Sequence, residues 1–101
     1  MIARLWHGIT PAARSEAYLD FLVRTGISDY RKTPGNRGAQ ILMRKEGEVA
    51  HFLLISLWDS MKAVRGFASP AVDRAKYYPE DPEYLLELEP NVVHYEVAFA
   101  T

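Results

Sequence analysis

The stretch AHFLLISLWDS, residues 50–60, ends in side chains that can do chemistry. Trp58 carries an indole N–H donor, and Ser56, two residues earlier and so on the same side of a strand, both donates and accepts. His7 is of the one residue type whose ordinary titration range lies near neutrality, which suits a proton acceptor. The tyrosines of KYYPE, Tyr77 and Tyr78, add hydroxyls, and Phe52, Leu54 and Phe67 add apolar walls. Together such groups can bind an aromatic ring, steady an oxyanion and accept a proton. Each also has a plainer role. Trp58 can be core, Ser56 can make room for Phe21 or Phe67, His7 can sit in water beside Gly8, and one of Tyr77 and Tyr78 can simply pack.

Other patterns carry less. RKTPGNRG, rich in turn formers, lacks the Gly-Lys-Ser/Thr ending of a phosphate loop and reads as a loop leading into a strand. His7, His51 and His94 are scattered, without acidic partners at ligand spacing, so no metal site is expected and no cofactor is called for. The 101 residues include 12 basic and 13 acidic side chains, a balance that does not suit a nucleic-acid partner. The absence of cysteine removes disulfides and thiolate chemistry. No apolar run reaches the length of a membrane span, and MIARLWHG is too short and polar for a signal peptide, so a cytoplasmic protein is expected. A chain that is 49% hydrophobic and 25% charged suits one soluble domain over residues 1–101.

The elements that must position these groups follow from local pattern. Ile2–His7 reads as a strand stopping at Gly8, and Thr10-Pro11 as the capped start of a helix that stops at Gly26. Tyr18, Phe21 and Leu22 lie on its apolar stripe. Residues 39–58 form a hairpin turning at Glu46-Gly47. Ser60 caps a second helix carrying Met61, Val64 and Phe67 on one face, and Ser69-Pro70 starts a further turn or two through Tyr77. The acidic loop from Glu80 to Glu89 holds one helical turn, and NVVHYEVAF closes the chain as a strand.

The order strand, helix, strand, strand, helix, strand predicts an α+β, ferredoxin-like βαββαβ fold: a four-stranded antiparallel sheet with both helices on one face. In the third strand both alternating sets, His51, Leu53, Ile55, Leu57 and Phe52, Leu54, Ser56, Trp58, are mostly apolar. Helices can cover only one, so the other is expected to meet a second copy of the chain as a homodimer. Pairing Arg4 with Glu96 on the outer face puts Leu5, His7, Val93 and Tyr95 under the helices and turns Trp6 and His94 toward the partner.

The strand ending LWDS before a short helix, YRKTPGNRG before the hairpin, YYPED and the closing HYEV resemble, over nearly the whole chain, the antibiotic biosynthesis monooxygenase family, whose members are dimeric α/β barrels. The resemblance implies a cofactor-independent monooxygenase acting on a small aromatic, anthrone-like or quinol substrate. Trp58 and His7 would be its catalytic groups, with Leu5, Phe52, Leu54, Ser56, Phe67, Tyr77, Tyr78 and Tyr95 around the substrate. Trp58 matches the Trp of the anthrone oxygenases, but their Asn, Tyr and Arg positions read Leu54, Val64 and Tyr78. The Asn, Trp and His of the haem degraders read Leu5, Phe67 and Tyr77, which disfavours haem degradation. The alternative is a non-catalytic, stress-linked dimeric barrel that holds an apolar ligand.

Overall fold

The computed structural model describes residues 1–101. Strand β3, Val49–Trp58, is central. On one side it pairs with β2, Asn36–Glu46, across a hairpin turn where Gly47 takes a φ of 61°, a left-handed angle that glycine adopts at little cost. On the other it runs antiparallel to β1, Ile2–Pro11, from Ile2 opposite Trp58 to Pro11 opposite Val49. A short β4, Val93–Glu96, completes a four-stranded sheet in the order β2-β3-β1-β4. This is the ferredoxin-like α+β arrangement, and within one chain the sheet is open rather than closed into a barrel.

One helical run crosses the sheet: α1, Ser15–Leu22, a π-helical segment, Val23–Ile27, and α2, Ser28–Lys32. A second helix, α3, Met61–Ala68, follows β3; the Ser60 side chain accepts from the Ala63 N–H at its start. Both pack on the same face. Tyr18, Phe21, Leu22, Tyr30 and Val64 form one buried cluster with Trp6, Phe52, Leu54 and Trp58 of the sheet. The connection from α3 to β4 is long and irregular, with one 3-10 turn at Asp81–Glu83. No helix is long and apolar enough to cross a membrane.

Several local expectations change. Gly8 does not end β1, which continues to Pro11. The Thr10 hydroxyl donates to the Pro11 carbonyl at 3.0 Å and caps nothing, so the helix is entered through a 3-10 turn at Ala12–Arg14. Gly26 does not stop the helix. The π-helical turn absorbs it and carries the run to Lys32, with the Thr25 hydroxyl donating to the Phe21 carbonyl at 2.7 Å. Ser69-Pro70 starts no helix, because Ser69, at a φ of 73°, turns the chain away from α3.

The sidedness of β1 and β4 is the reverse of that expected. The register sets Arg4 opposite Ser56, Trp6 opposite Leu54 and Gly8 opposite Phe52, so Arg4, Trp6 and Gly8 lie under the helices. Leu5, His7, Val93 and Tyr95 lie on the open face, where Tyr95 is 59% exposed. The physical reason is that Arg4 does not pair with Glu96. Its charge is met from above by the carbonyls of Val72 and Arg74 and from the side by His94. Trp6 fits the inner face because Gly8 leaves it room: a Cβ on Gly8 would stand 2.3 Å from the indole Cη2.

Candidate functional site

A partly open cavity of about 30 Å³ lies between the sheet, the helical run and the connection from α3 to β4. Its floor is Arg4, Trp6 and Leu54, and Tyr18, Leu22, Gly26 and Tyr30 form the helical side. Phe67 adds a further wall, and Lys76, Tyr77, Tyr78, Asp81 and Val92 close it from the connection. The volume is that of about one water. A Cβ on Gly26 would meet nothing within 4 Å, so the π-helical turn leaves open space on the cavity's flank. Turns of this kind recur at functional sites.

Of the residues singled out from sequence, Leu54, Phe67, Tyr77 and Tyr78 line this cavity. Both tyrosines reach it and both hydroxyls are engaged. Tyr77 donates to the Glu89 carbonyl at 2.6 Å and accepts from the Trp6 indole at 3.4 Å, while Tyr78 donates to the Asp29 carboxylate. Phe52, Ser56 and Trp58 share the inner face but lie behind the lining. The Trp58 N–H donates to the Ser56 hydroxyl at 2.9 Å, and its rings pack edge-on against Tyr30 and tilted against Phe67. The donor expected to meet substrate is thus spent inside the core.

Leu5, His7 and Tyr95 are outside the cavity altogether. His7 meets Glu89 through Nδ1 at 2.7 Å and His51 through Nε2 at 3.2 Å. The two imidazoles border a hollow of about 280 Å³ on the open face with Leu42, Met43, Arg44 and Leu53. No group of three or more His, Asp or Glu side chains in the chain is placed to hold a metal ion.

The charged and aromatic lining residues that sequence reasoning did not place at the site are Arg4, Trp6, Tyr18, Tyr30, Lys76 and Asp81. Asp81 is 3% exposed. It accepts from the Tyr18 hydroxyl at 2.8 Å and from the Tyr78 N–H at 2.6 Å, two donors that favour its anion. Burial outweighs them and raises its pKa above the ordinary carboxylate value. The same burial, with the adjacent carboxylate, pushes the Tyr18 phenol far up, so Tyr18 remains a donor. Burial also raises Tyr30, against the pull of Arg4 and a bond to Ser56. The spacing Trp6-x-Gly8, a large ring followed by a missing side chain on the same strand face, is the one signal in the sequence that could have located Trp6.

No family model and no curated protein matches this chain by sequence. Solved structures do match by shape. A candidate antibiotic biosynthesis monooxygenase from Bacillus cereus superposes with a TM-score of 0.68 at 13% identity, over 99% of this chain and 97% of that one. Another, from Nitrosomonas europaea, gives 0.69 at 17%, over 98% and 100%. The heme-degrader MhuD from Mycobacterium tuberculosis, solved with two hemes in its active site, gives 0.64 at 19%, over 100% and 99%. The chain therefore has the fold shared by these candidate antibiotic biosynthesis monooxygenases and MhuD.

Proposed function

We propose that the cavity binds a small planar aromatic molecule and that the protein oxidises it with O₂, without a resident cofactor. One observation carries this reading: six aromatic side chains, Trp6, Tyr18, Tyr30, Phe67, Tyr77 and Tyr78, and one buried carboxylate, Asp81, converge on one cavity. A substrate with an acidic ring CH₂, such as an anthrone, gives its proton to Asp81, whose raised proton affinity suits it to the task. The carbanion passes electrons to O₂, a peroxide forms on the ring carbon, and loss of water leaves a carbonyl. In balance, CH₂ and O₂ become C=O and H₂O.

Entry requires movement. The cavity is far smaller than a ring, and Lys76, Tyr77, Tyr78, Asp81 and Val92 all belong to the one connection that must swing out. A haem reading has less support, since no histidine lines the cavity.

Oxygen-electrode assays with metal-stripped protein and a panel of anthrones and dihydroquinones test the oxygenase reading. Uptake should exceed the uncatalysed rate, and Asp81→Asn should lower it by about a hundredfold or more. If a ligand binds but nothing raises uptake, the binding-module reading replaces it. That reading draws support from Trp58, whose donor is turned away from the cavity. We also propose a homodimer through the open face, supported by Leu5, Leu53, Ile55 and Leu57 beside the exposed Leu42 and Tyr95. Light scattering at low micromolar concentration checks this, and a stable monomer mass would refute it.

A further inference from the structure

Arg4 is 2% exposed, yet every hydrogen bond it makes is to a neutral acceptor. Nη1 donates to the Val72 carbonyl at 2.6 Å and to His94 Nε2 at 3.0 Å, and Nη2 donates to the Arg74 carbonyl at 3.1 Å. Because His94 accepts through Nε2, its proton sits on Nδ1, which faces Asp73 at 3.3 Å. That carboxylate is 81% exposed and one imidazole ring removed from the guanidinium. Lys76 lines the same cavity, with its ammonium 4.5 Å from the centroid of the Phe67 ring; the Arg4 Cζ lies 5.8 Å from that centroid. Neither cation takes part in any ion pair of the chain. The one carboxylate in the lining, Asp81, is engaged by Tyr18 and Tyr78.

Two cations thus lie near one aromatic ring at the cavity, and neither is paired with an anion of the chain. A buried charge with only neutral partners is costly, and a ring face offsets part of that cost. We propose that the missing anion belongs to the ligand. The site takes an aromatic acid whose oxyanion, carboxylate or phenolate, lies against Arg4 and Lys76 while its ring packs on Trp6, Leu22 and Leu54. The guanidinium presents a planar fork matched to a carboxylate. This rests on the reading of the cavity as a ligand site and adds the charge that the ligand must carry.

Calorimetric titration with benzoate and its uncharged isostere benzamide tests the charge. Benzoate should bind about tenfold or more tightly than benzamide, and Arg4→Met should abolish the preference. Lys76→Gln, at an exposed position, should reduce it several-fold, so the inference remains testable if the Arg4 variant fails to fold. 4-Nitrophenol separates the two sources of oxyanion. Below its own pKa it should turn yellow on binding if the site takes phenolates, and remain colourless while benzoate still binds if the site is selective for carboxylates. Equal binding of benzoate and benzamide, or 4-nitrophenol bound only as the colourless phenol with no benzoate preference, overturns the anion subsite and leaves the cavity reading standing. No binding of any probe at millimolar concentration overturns both.

Discussion

Replacing Tyr18 with Phe removes one hydroxyl from a fully buried ring and leaves the packing against Phe21, Phe52 and Tyr84 in place. No cavity of consequence forms, so the loss is that of the 2.8 Å bond to Asp81. A hydrogen bond to a buried carboxylate contributes about 1.5–3 kcal/mol, against about 0.5–1.5 kcal/mol for a bond to the neutral acid. Burial holds the folded pKa of Asp81 above the ordinary 3.8. By linkage, the stabilising effect of that raised pKa is fully present below the ordinary value and is lost as pH rises through the folded one. The Tyr18 bond opposes this loss by favouring the anion. Its deletion should therefore cost more at pH 7 than at pH 4. At pH 7 the expected fall in Tm is roughly 6–20 °C for a domain of this size. Urea unfolding followed by tryptophan fluorescence at both pH values is the assay. A loss below about 0.5 kcal/mol, or one equal at the two pH values, would refute the claim that the Tyr18 bond favours the Asp81 anion. In the oxygenase reading the same variant raises the proton affinity of Asp81 further, so the limb on which the rate rises with pH should move to higher pH.

Gly8→Ala places a methyl group 2.3 Å from the Trp6 ring, which must shift; the emission maximum of tryptophan should move, ligand affinity should fall, and an unchanged spectrum would contradict the packing. His94 has its pKa lowered by burial first and by Arg4 second, so its contribution to stability is present above its ordinary value of 6.5 and lost as pH falls through the folded one. His94→Gln should accordingly flatten the fall in stability on acidification, and a parent-like pH slope would sink the assignment. Haemin titration should give no saturable Soret shift, and a biliverdin-like product with reductant and O₂ would overturn this expectation.

Fold class was legible in the chain because local signals agreed with one another. The turn at Gly47, the Ser60 cap and the doubly apolar strand from Val49 to Trp58 each depend on near neighbours, and all were placed correctly. The inner face of β3 could likewise be read directly, since Phe52, Leu54, Ser56 and Trp58 alternate with a distinct second set and all four are buried. Where the helix passed Gly26, local reasoning failed. A glycine suits a C-terminus, but contacts from Tyr30 to Trp58 and Phe67 hold the next turns on the sheet and convert the stop into a π-helical turn.

The site itself depended on information no local pattern contains. Period-two alternation in β1 says that Arg4 and Trp6 share a face opposite Leu5 and His7, but not which face is inner; the expected pairing of Arg4 with Glu96 pointed the wrong way. The choice was made by carbonyls at Val72 and Arg74, about seventy residues along the chain, which satisfy the guanidinium indoors. A one-sided strand has only two orientations, and a few long-range bonds decide between them for every residue at once. That decision moved His7 and Tyr95 out of the cavity and brought in Arg4 and Trp6, while the irregular connection supplied Lys76 and Asp81. The order of elements, the hairpin and the inner face of β3 were legible from local pattern, because these rest on neighbours in the chain. Tertiary structure alone decided which polar groups share the cavity, because buried charge is governed by partners that are distant in sequence.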